Sequence, residues 1–321
     1  MATLLTSSCF CTLRDLRVVR VRCVPRVLCV LRALCALCVK FLSFPARITI
    51  LLLLAFFLAN SASTQQEATP RSYLGFDRNI YPGDDALPIL RKTFSFASYW
   101  LSPPPGEKTN TWKGNRELLR KHGFGFVVLY RGRDSSELKK EADAKIKGAR
   151  DGEDTVTAAK SEGFSAGTVI FLDIEEGGRL PDTYHTYLRA WSEALTHAGF
   201  RAGAYCSGMP VNEGQGVSIN TVDDIRSHAS SREIIIWAYN DACPPSPGCA
   251  FPQNPPSPDR SGISYATIWQ FAQSPRRKEF TARCPAKYYR DGNCYAPGDS
   301  AHKWFLDVNS ATSPDPSEGA K

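Results

Sequence analysis

Apolar and polar positions alternate along this chain in two rhythms. Eight short runs rich in β-branched and aromatic residues recur between residues 73 and 308: YLGFD (73–77), FSFASYWL (94–101), GFVVLY (125–130), TVIFLDIE (168–175), RAGAYCSG (201–208), EIIIWAY (233–239), TIWQFAQ (267–273) and KWFLDV (303–308). Runs of this kind, bounded by Gly, Pro and polar clusters, predict strands. Between them the period lengthens to that of a helix. GNRELLRKHG (114–123) closes on a glycine stop signal, and 135–163 opens on Ser with Glu behind it. The segment 181–199 has Pro at its start and Gly just past its end, and it lines up Tyr184, Tyr187, Leu188, Trp191 and Leu195 on one face. A shorter helical piece covers 219–230.

Short strands alternating with helices over roughly 250 residues predict an α/β fold, a single-domain (β/α)8 TIM-type barrel, regular or irregular. A doubly wound sheet is the competing architecture. It is disfavoured because no glycine-rich phosphate loop follows the first strand and because acids recur at strand ends. The Pro-rich stretch 242–262 follows the sixth strand, which in a barrel puts it on the active face. The expected organisation is a leader over 1–63, a linker over 64–72, the barrel over 73–310 and a disordered tail over 311–321.

The candidate chemistry lies in four acids. Asp173 and Glu175 are spaced i, i+2 at the end of the fourth strand, so their side chains point the same way, whereas Glu176 points away. Asp77 ends the first strand and Asp307 sits near the end of the eighth. Strands one and eight become neighbours when a barrel closes, and all C-terminal strand ends share one mouth. The four carboxylates are therefore expected to converge. Like charges that close raise one pKa and depress another, as acid/base chemistry on a sugar acetal requires. Tyr205, Trp237, Tyr239, Trp269 and Gln270 sit on strands and are candidates for lining the mouth against sugar rings. Packing in the barrel core is the other role open to each aromatic.

Composition changes the picture at the N-terminus. Residues 1–47 hold eight basic residues and one acid, Asp15, so their net charge equals the +7 of the entire chain. The remainder is neutral and carries no basic footprint for nucleic acid. ITILLLLAFFLA (48–59) follows the basic region and precedes small residues, the pattern of a secretory signal. Its length falls short of the ~20 residues of a membrane span. A secreted or periplasmic monomer is expected, touching a membrane only if the leader is retained.

Six of the eleven cysteines lie in that leader. Cys243 and Cys249 share one loop and Cys284 and Cys294 another, so two local disulfides are the simplest assignment, with all three connectivities open. Neither pair has zinc-ligand spacing. The histidines, His122, His185, His197, His228 and His302, fall in helices or just before a strand. No metal or cofactor is expected.

The ordered pieces Gly75-Phe76-Asp77, LDIE, GAYCSG, IIIWAY, IWQF and FLDVN resemble the glycoside hydrolases of family 25, the muramidases of bacteria and phages. They are more similar still to the glycoside-hydrolase-like domains of domain-of-unknown-function family 1906. The resemblance covers residues 73–310. It implies a glycosidase acting on a cell-wall or other N-acetylated polysaccharide, with Glu175 as general acid. Asp173 would orient the 2-acetamido group if the sugar itself supplies the nucleophile, and Asp77 and Asp307 would bind sugar and set the charge of the site. The alternative it leaves open is a catalytically inactive carbohydrate-binding barrel at the cell envelope. The helical insertion at 135–163, the Pro-rich loop and the 284–294 segment depart from a minimal muramidase and bear on the substrate.

Overall fold

The computed structural model describes residues 71–229, 233–284 and 287–321. The leader with its apolar run 48–59, and the linker up to residue 70, lie outside the described residues. Among the described residues no helix is long and apolar enough to cross a membrane.

Among the described residues ten strands form, in chain order β1 (Tyr73–Asp77), β2 (Phe96–Trp100), β3 (Gly125–Arg131), β4 (Val169–Asp173), β5 (Arg201–Ser207), β6 (Val211–Gly214), β7 (Val217–Ile219), β8 (Ile235–Tyr239), β9 (Ile268–Ala272) and β10 (Asp307–Ala311). Eight of them close a barrel in the order β1-β10-β9-β8-β5-β4-β3-β2, while β6 and β7 pair as a separate hairpin. The helices are α1 (Leu87–Leu90), α2 (Arg116–Lys121), α3 (Glu141–Ser161), α4 (Asp182–His197), α5 (Thr221–His228) and α6 (Lys278–Thr281).

The barrel departs from the all-parallel pattern at one strand. β10 runs antiparallel to both of its neighbours, β1 and β9. The cause lies in the connection. A parallel return needs a crossover long enough to carry the chain back to the opposite end of the sheet, usually a helix. Among the described residues between β9 and β10 the only α-helix is the four-residue α6. The chain stays at the mouth and β10 enters from there. The apolar lead Trp304-Phe305, read from sequence as strand, precedes it, and Phe305 makes an isolated bridge to Tyr295.

The helical layer packs by close approach. A Cβ on Gly148 would lie 2.3 Å from the Tyr187 carbonyl oxygen, and one on Gly152 would lie 2.6 Å from the Ala194 Cβ. These two glycines let α3 settle against α4. The face of α4 that the periodicity picked out is buried throughout, from Tyr184 to Leu195. Inside the barrel Phe171 and Trp237 meet edge to face, with ring centroids 5.8 Å apart.

The C-terminal tail, expected to be disordered, is packed. Ser317 is fully buried; its backbone N–H donates to the Phe126 carbonyl (2.9 Å), its carbonyl accepts from Val169 (2.9 Å) and its hydroxyl accepts from Val128 (2.9 Å). The Asp315 carboxylate accepts from the Phe126 N–H at 2.8 Å. Arg116 closes the contact by donating to the carbonyls of Gly319 and Lys321. Backbone groups at the start of β3 and β4 would otherwise go unpaired, and the tail's Asp and Ser satisfy them. A polar composition signals disorder only when the segment has no such partners.

The cysteines also differ from the simplest assignment. Cys243 is bonded to Cys284, with Cα atoms 5.0 Å apart, which joins the two loops instead of closing each on itself. Cys249 and Cys294 are buried as thiols next to one another, and Cys206 is a buried thiol in β5. The loops after β8 and β9 lie against each other, so contacts across them outrank proximity in sequence.

Candidate active site

Each acid reaches the mouth from a strand end. Register places Asp77, the last residue of β1, directly opposite Asp307, the first residue of β10. Asp307 was expected at the C-terminal end of a parallel strand. It opens an antiparallel one, and the two departures cancel, leaving its side chain at the mouth. β4 ends at Asp173, so Glu175 is a loop residue rather than a strand residue. The Ile174 N–H still donates to the Tyr205 carbonyl (2.9 Å), which continues the β4–β5 pairing for one residue and keeps Glu175 on the side of Asp173. Glu176 turns away and accepts from the Ser135 N–H at 2.6 Å.

Asp77 is held by two amides. Asn309 Nδ2 donates to its Oδ1 at 2.8 Å and Gln270 Nε2 at 3.1 Å. Both amides are held in turn. Tyr205 donates its hydroxyl to Gln270 Oε1 at 2.8 Å, and Trp237 donates its indole N–H to Asn309 Oδ1 at 3.0 Å. Gln273 Nε2 adds a bond to Gln270 Oε1 at 2.8 Å. Asp307 accepts from the Ser274 N–H at 2.5 Å. Asp173 and Glu175 hydrogen-bond each other.

The electrostatics follow from crowding acids with few cations. Burial pushes the Asp77 carboxyl up to about 6, against the bonds from Asn309 and Gln270 that favour its charged form. Asp173 is driven well above the carboxylate range, first by burial and then by the charges of Glu175 and Asp77. Asp307 is raised similarly by burial and by Asp77. Glu175 is raised by desolvation, but its bond from Asp173 and the Arg277 guanidinium pull the other way. Glu175 is exposed, whereas Asp173 is 5% exposed. The pair therefore keeps its proton on Asp173, the more buried acid, which donates it to the Glu175 carboxylate. Arg277 itself is anchored on the buried Asp241, with Nε to Oδ2 at 3.0 Å, and lies over the Tyr239 ring.

The aromatic candidates divide by strand face. Tyr205, Trp237 and Tyr239 form one cluster, with Tyr205–Trp237 centroids 4.8 Å apart and Tyr205–Tyr239 5.4 Å apart. Gln270 joins them through the Tyr205 bond. Trp269 does not. One residue from Gln270 on β9, it faces the opposite side of the sheet, fully buried, with its indole N–H on the Asn240 carbonyl at 2.8 Å. It packs against Phe271 outside the barrel lumen.

Beside Asp77 and Asp307 a cleft of about 160 Å³ opens, lined also by Arg78, Ile80, Ser274 and Phe305. Phe305 (43% exposed) offers an apolar face there, and the Arg78 guanidinium sits over its ring. A larger hollow of about 520 Å³ lies outside the barrel between α3 and α4, with no strand-end residue in its lining. Convergent polar groups, not size, mark the mouth as the candidate site, although the lining of this cleft takes in Asp77 and Asp307 and not Asp173 or Glu175. Asn309, Gln273, Ser274, Arg277, Arg78 and Phe305 were not singled out from sequence. Asn309 had a signal, since it lies two residues after Asp307 and shares its strand face. Arg277 had none.

Residues 104–245 match the family model of the Rv2525c-like, glycoside hydrolase-like domain, a stretch that includes Asp173 and Glu175. No curated protein matches the sequence. Among solved structures the chain is similar to an uncharacterised Bacillus stearothermophilus protein, at 17% identity and a TM-score of 0.46 over 74% of this chain and 95% of that one. It is similar to the Tat-secreted protein Rv2525c of Mycobacterium tuberculosis at 15% identity, TM-score 0.44, over 77% and 97% of the two chains. The spore cortex lytic enzyme SleM of Clostridium perfringens matches at 15% identity, TM-score 0.43, over 77% of this chain and 70% of that one.

Proposed function

We propose that this chain, whose residues 104–245 match the Rv2525c-like, glycoside hydrolase-like family model, is a secreted or periplasmic glycosidase acting on a cell-wall or other N-acetylated polysaccharide. The observation that carries this reading is the hydrogen-bonded Asp173–Glu175 pair, in electrostatic reach of Asp77. Acetal cleavage passes through an oxocarbenium-like state served by two carboxyl groups, one of which must hold a proton. The pair holds one. A sugar seated over Glu175 displaces the water that reaches it, raises its proton affinity and draws the shared proton across from Asp173. Glu175 then protonates the leaving glycosidic oxygen. Asp173, left ionised beside the substrate, orients a 2-acetamido group. Asp77 and Asp307 stabilise positive charge developing on the ring. Tyr205, Trp237 and Tyr239 position the inner wall, and Phe305 provides a stacking face at the cleft.

Export is supported by the basic leader, its apolar run and the Cys243–Cys284 bond, which suits an oxidising compartment. A carbohydrate-binding barrel without turnover is the second reading. The exposed Phe305 ring favours it equally, since stacking on a sugar needs no acid. Glu175→Gln separates the two: hydrolysis of chitooligosaccharide or peptidoglycan should vanish while binding survives. Failure of the intact protein to cleave any N-acetylated glycan would leave the binding reading alone standing.

A further inference from the structure

Outside the barrel, α4 and α5 bring His185, Asp224 and His228 together, with one donor atom from each within 4.8 Å of the others. No local spacing marks these three as a ligand set, because His185 lies on a different helix from Asp224 and His228. The last two are i, i+4 on α5 and share a face. His185 Nε2 approaches Asp224 Oδ2 at 3.0 Å, and His228 Nδ1 lies 3.6 Å from Asp224 Oδ1. The two imidazoles stack at 3.7 Å between centroids.

Asp224 Oδ1, on a residue with no exposure, is buried without a hydrogen-bond partner, and His185 Nε2, on a residue 6% exposed, has only the Asp224 Oδ2 contact. Leaving such atoms unsatisfied is costly. His228 ends α5 and is partly exposed, and its Nδ1 also lies 2.9 Å from the Asp224 carbonyl oxygen and 3.1 Å from the Ser227 hydroxyl. A competing cation is Arg179, whose Nη1 stands 3.7 Å from Asp224 Oδ1 while its Nε and Nη2 chelate Glu213.

We propose that His185, Asp224 and His228 form a binding site for a divalent transition metal of the zinc class, with water completing the coordination. Two imidazoles and one carboxylate suit such an ion and not Mg²⁺ or Ca²⁺, which prefer all-oxygen sets. The ion joins α4 to α5. It also steadies the loop that carries Glu175, because Asp224 Oδ2 accepts from the Leu180 N–H at 2.9 Å and Thr221 of α5 donates to the Glu176 carbonyl at 3.2 Å.

The test is calorimetric titration of the EDTA-stripped full chain with ZnCl2, with MgCl2 as control, beside His228→Ala and Asp224→Asn. Asn keeps an oxygen for the Leu180 N–H, so this variant tests ligation with the loop bond preserved. Leader cysteines contribute the same background to all three proteins. The expected result is one equivalent of Zn²⁺ that is lost or weakened at least about tenfold in both variants, with a Zn²⁺-dependent rise in melting temperature seen only in the parent. If either variant, folded by circular dichroism, binds Zn²⁺ as the parent does, or if the parent binds none, the proposal is overturned.

Discussion

Two sets of buried acids in this protein are treated in opposite ways. On α3, Asp151 is 5% exposed, and three donors meet it: Arg133 through Nε (2.5 Å) and Nη2 (2.8 Å), and the Tyr187 hydroxyl (2.9 Å). Asp241, fully buried, is likewise chelated by Arg277. At the barrel mouth Asp77, Asp173 and Asp307 have amides, a backbone N–H and one another, but no bidentate cation. Where the fold needs only structure, it neutralises a buried acid with a guanidinium. Where it withholds one, burial and the neighbouring carboxylates raise the acids' pKa values, that of Asp77 to about 6. That contrast is the physical reason for placing function at the mouth.

The largest expected effect tests the mouth directly. Glu175→Gln keeps the shape of the side chain and removes the exchangeable proton. Glycan hydrolysis is expected to fall about 10²–10⁴-fold, the range of a general acid, with glycan affinity changed little. Retained hydrolysis would remove Glu175 from the chemistry. The counterpart at the compensated site is Arg133→Ala, which leaves Asp151 buried with only Tyr187. It is expected to cost about 3 kcal/mol of stability by urea denaturation and to leave the acids of the mouth in place. A loss of hydrolysis in the still-folded variant would mean that the two acid sets are not independent.

How much of this was legible in the sequence differs between the two regions. Strand runs from 73 to 273 predicted seven barrel strands because period-2 alternation is a local property. Asp77, Asp173 and Glu175 could be placed at one mouth because closure brings all strand ends together. The orientation of β10 was not legible. It depends on the absence of a crossover helix between 273 and 306, in a segment whose Pro and Cys content hid its path. Trp269 was grouped with Gln270 although adjacent strand residues face opposite ways, an error that strict alternation would have avoided. The Arg133–Asp151 and Arg277–Asp241 pairs span 18 and 36 residues, and no local pattern announces such partners. The tail was read from composition alone, and its bonds to β3 and β4 are tertiary.

A smaller effect sharpens the contrast through pH. Asp77 titrates near 6 in the folded protein against an ordinary value of 3.8, so between those values the folded state holds more protons than the unfolded one. Its contribution to stability is fully present below pH 3.8 and is lost as pH rises through about 6. Asp77→Asn removes that loss while still accepting from one amide. At pH 7 the variant is expected to be more stable than the parent by up to about 2 kcal/mol, with a flatter stability profile between pH 4 and 6, and to hydrolyse glycan more slowly. A parent whose stability rises from pH 4 to 6 more steeply than the variant's would mean that Asp77 is compensated after all, as Asp151 is.

The smallest effect falls on the far face of β9. Trp269→Phe removes the indole bond to the Asn240 carbonyl and some packing volume, without touching Gln270 or Tyr205. It is expected to cost about 1–2 kcal/mol in urea denaturation and to leave glycan binding and hydrolysis at parental levels. Tyr205→Phe is the matched change on the near face. It removes the hydroxyl that orients Gln270 toward Asp77, so its effect should appear in hydrolysis and in the pH profile before it appears in stability. If the two variants behaved alike, the division of β9 into a packing face and a site face would be wrong, and the amide network around Asp77 would be scaffolding rather than part of the chemistry.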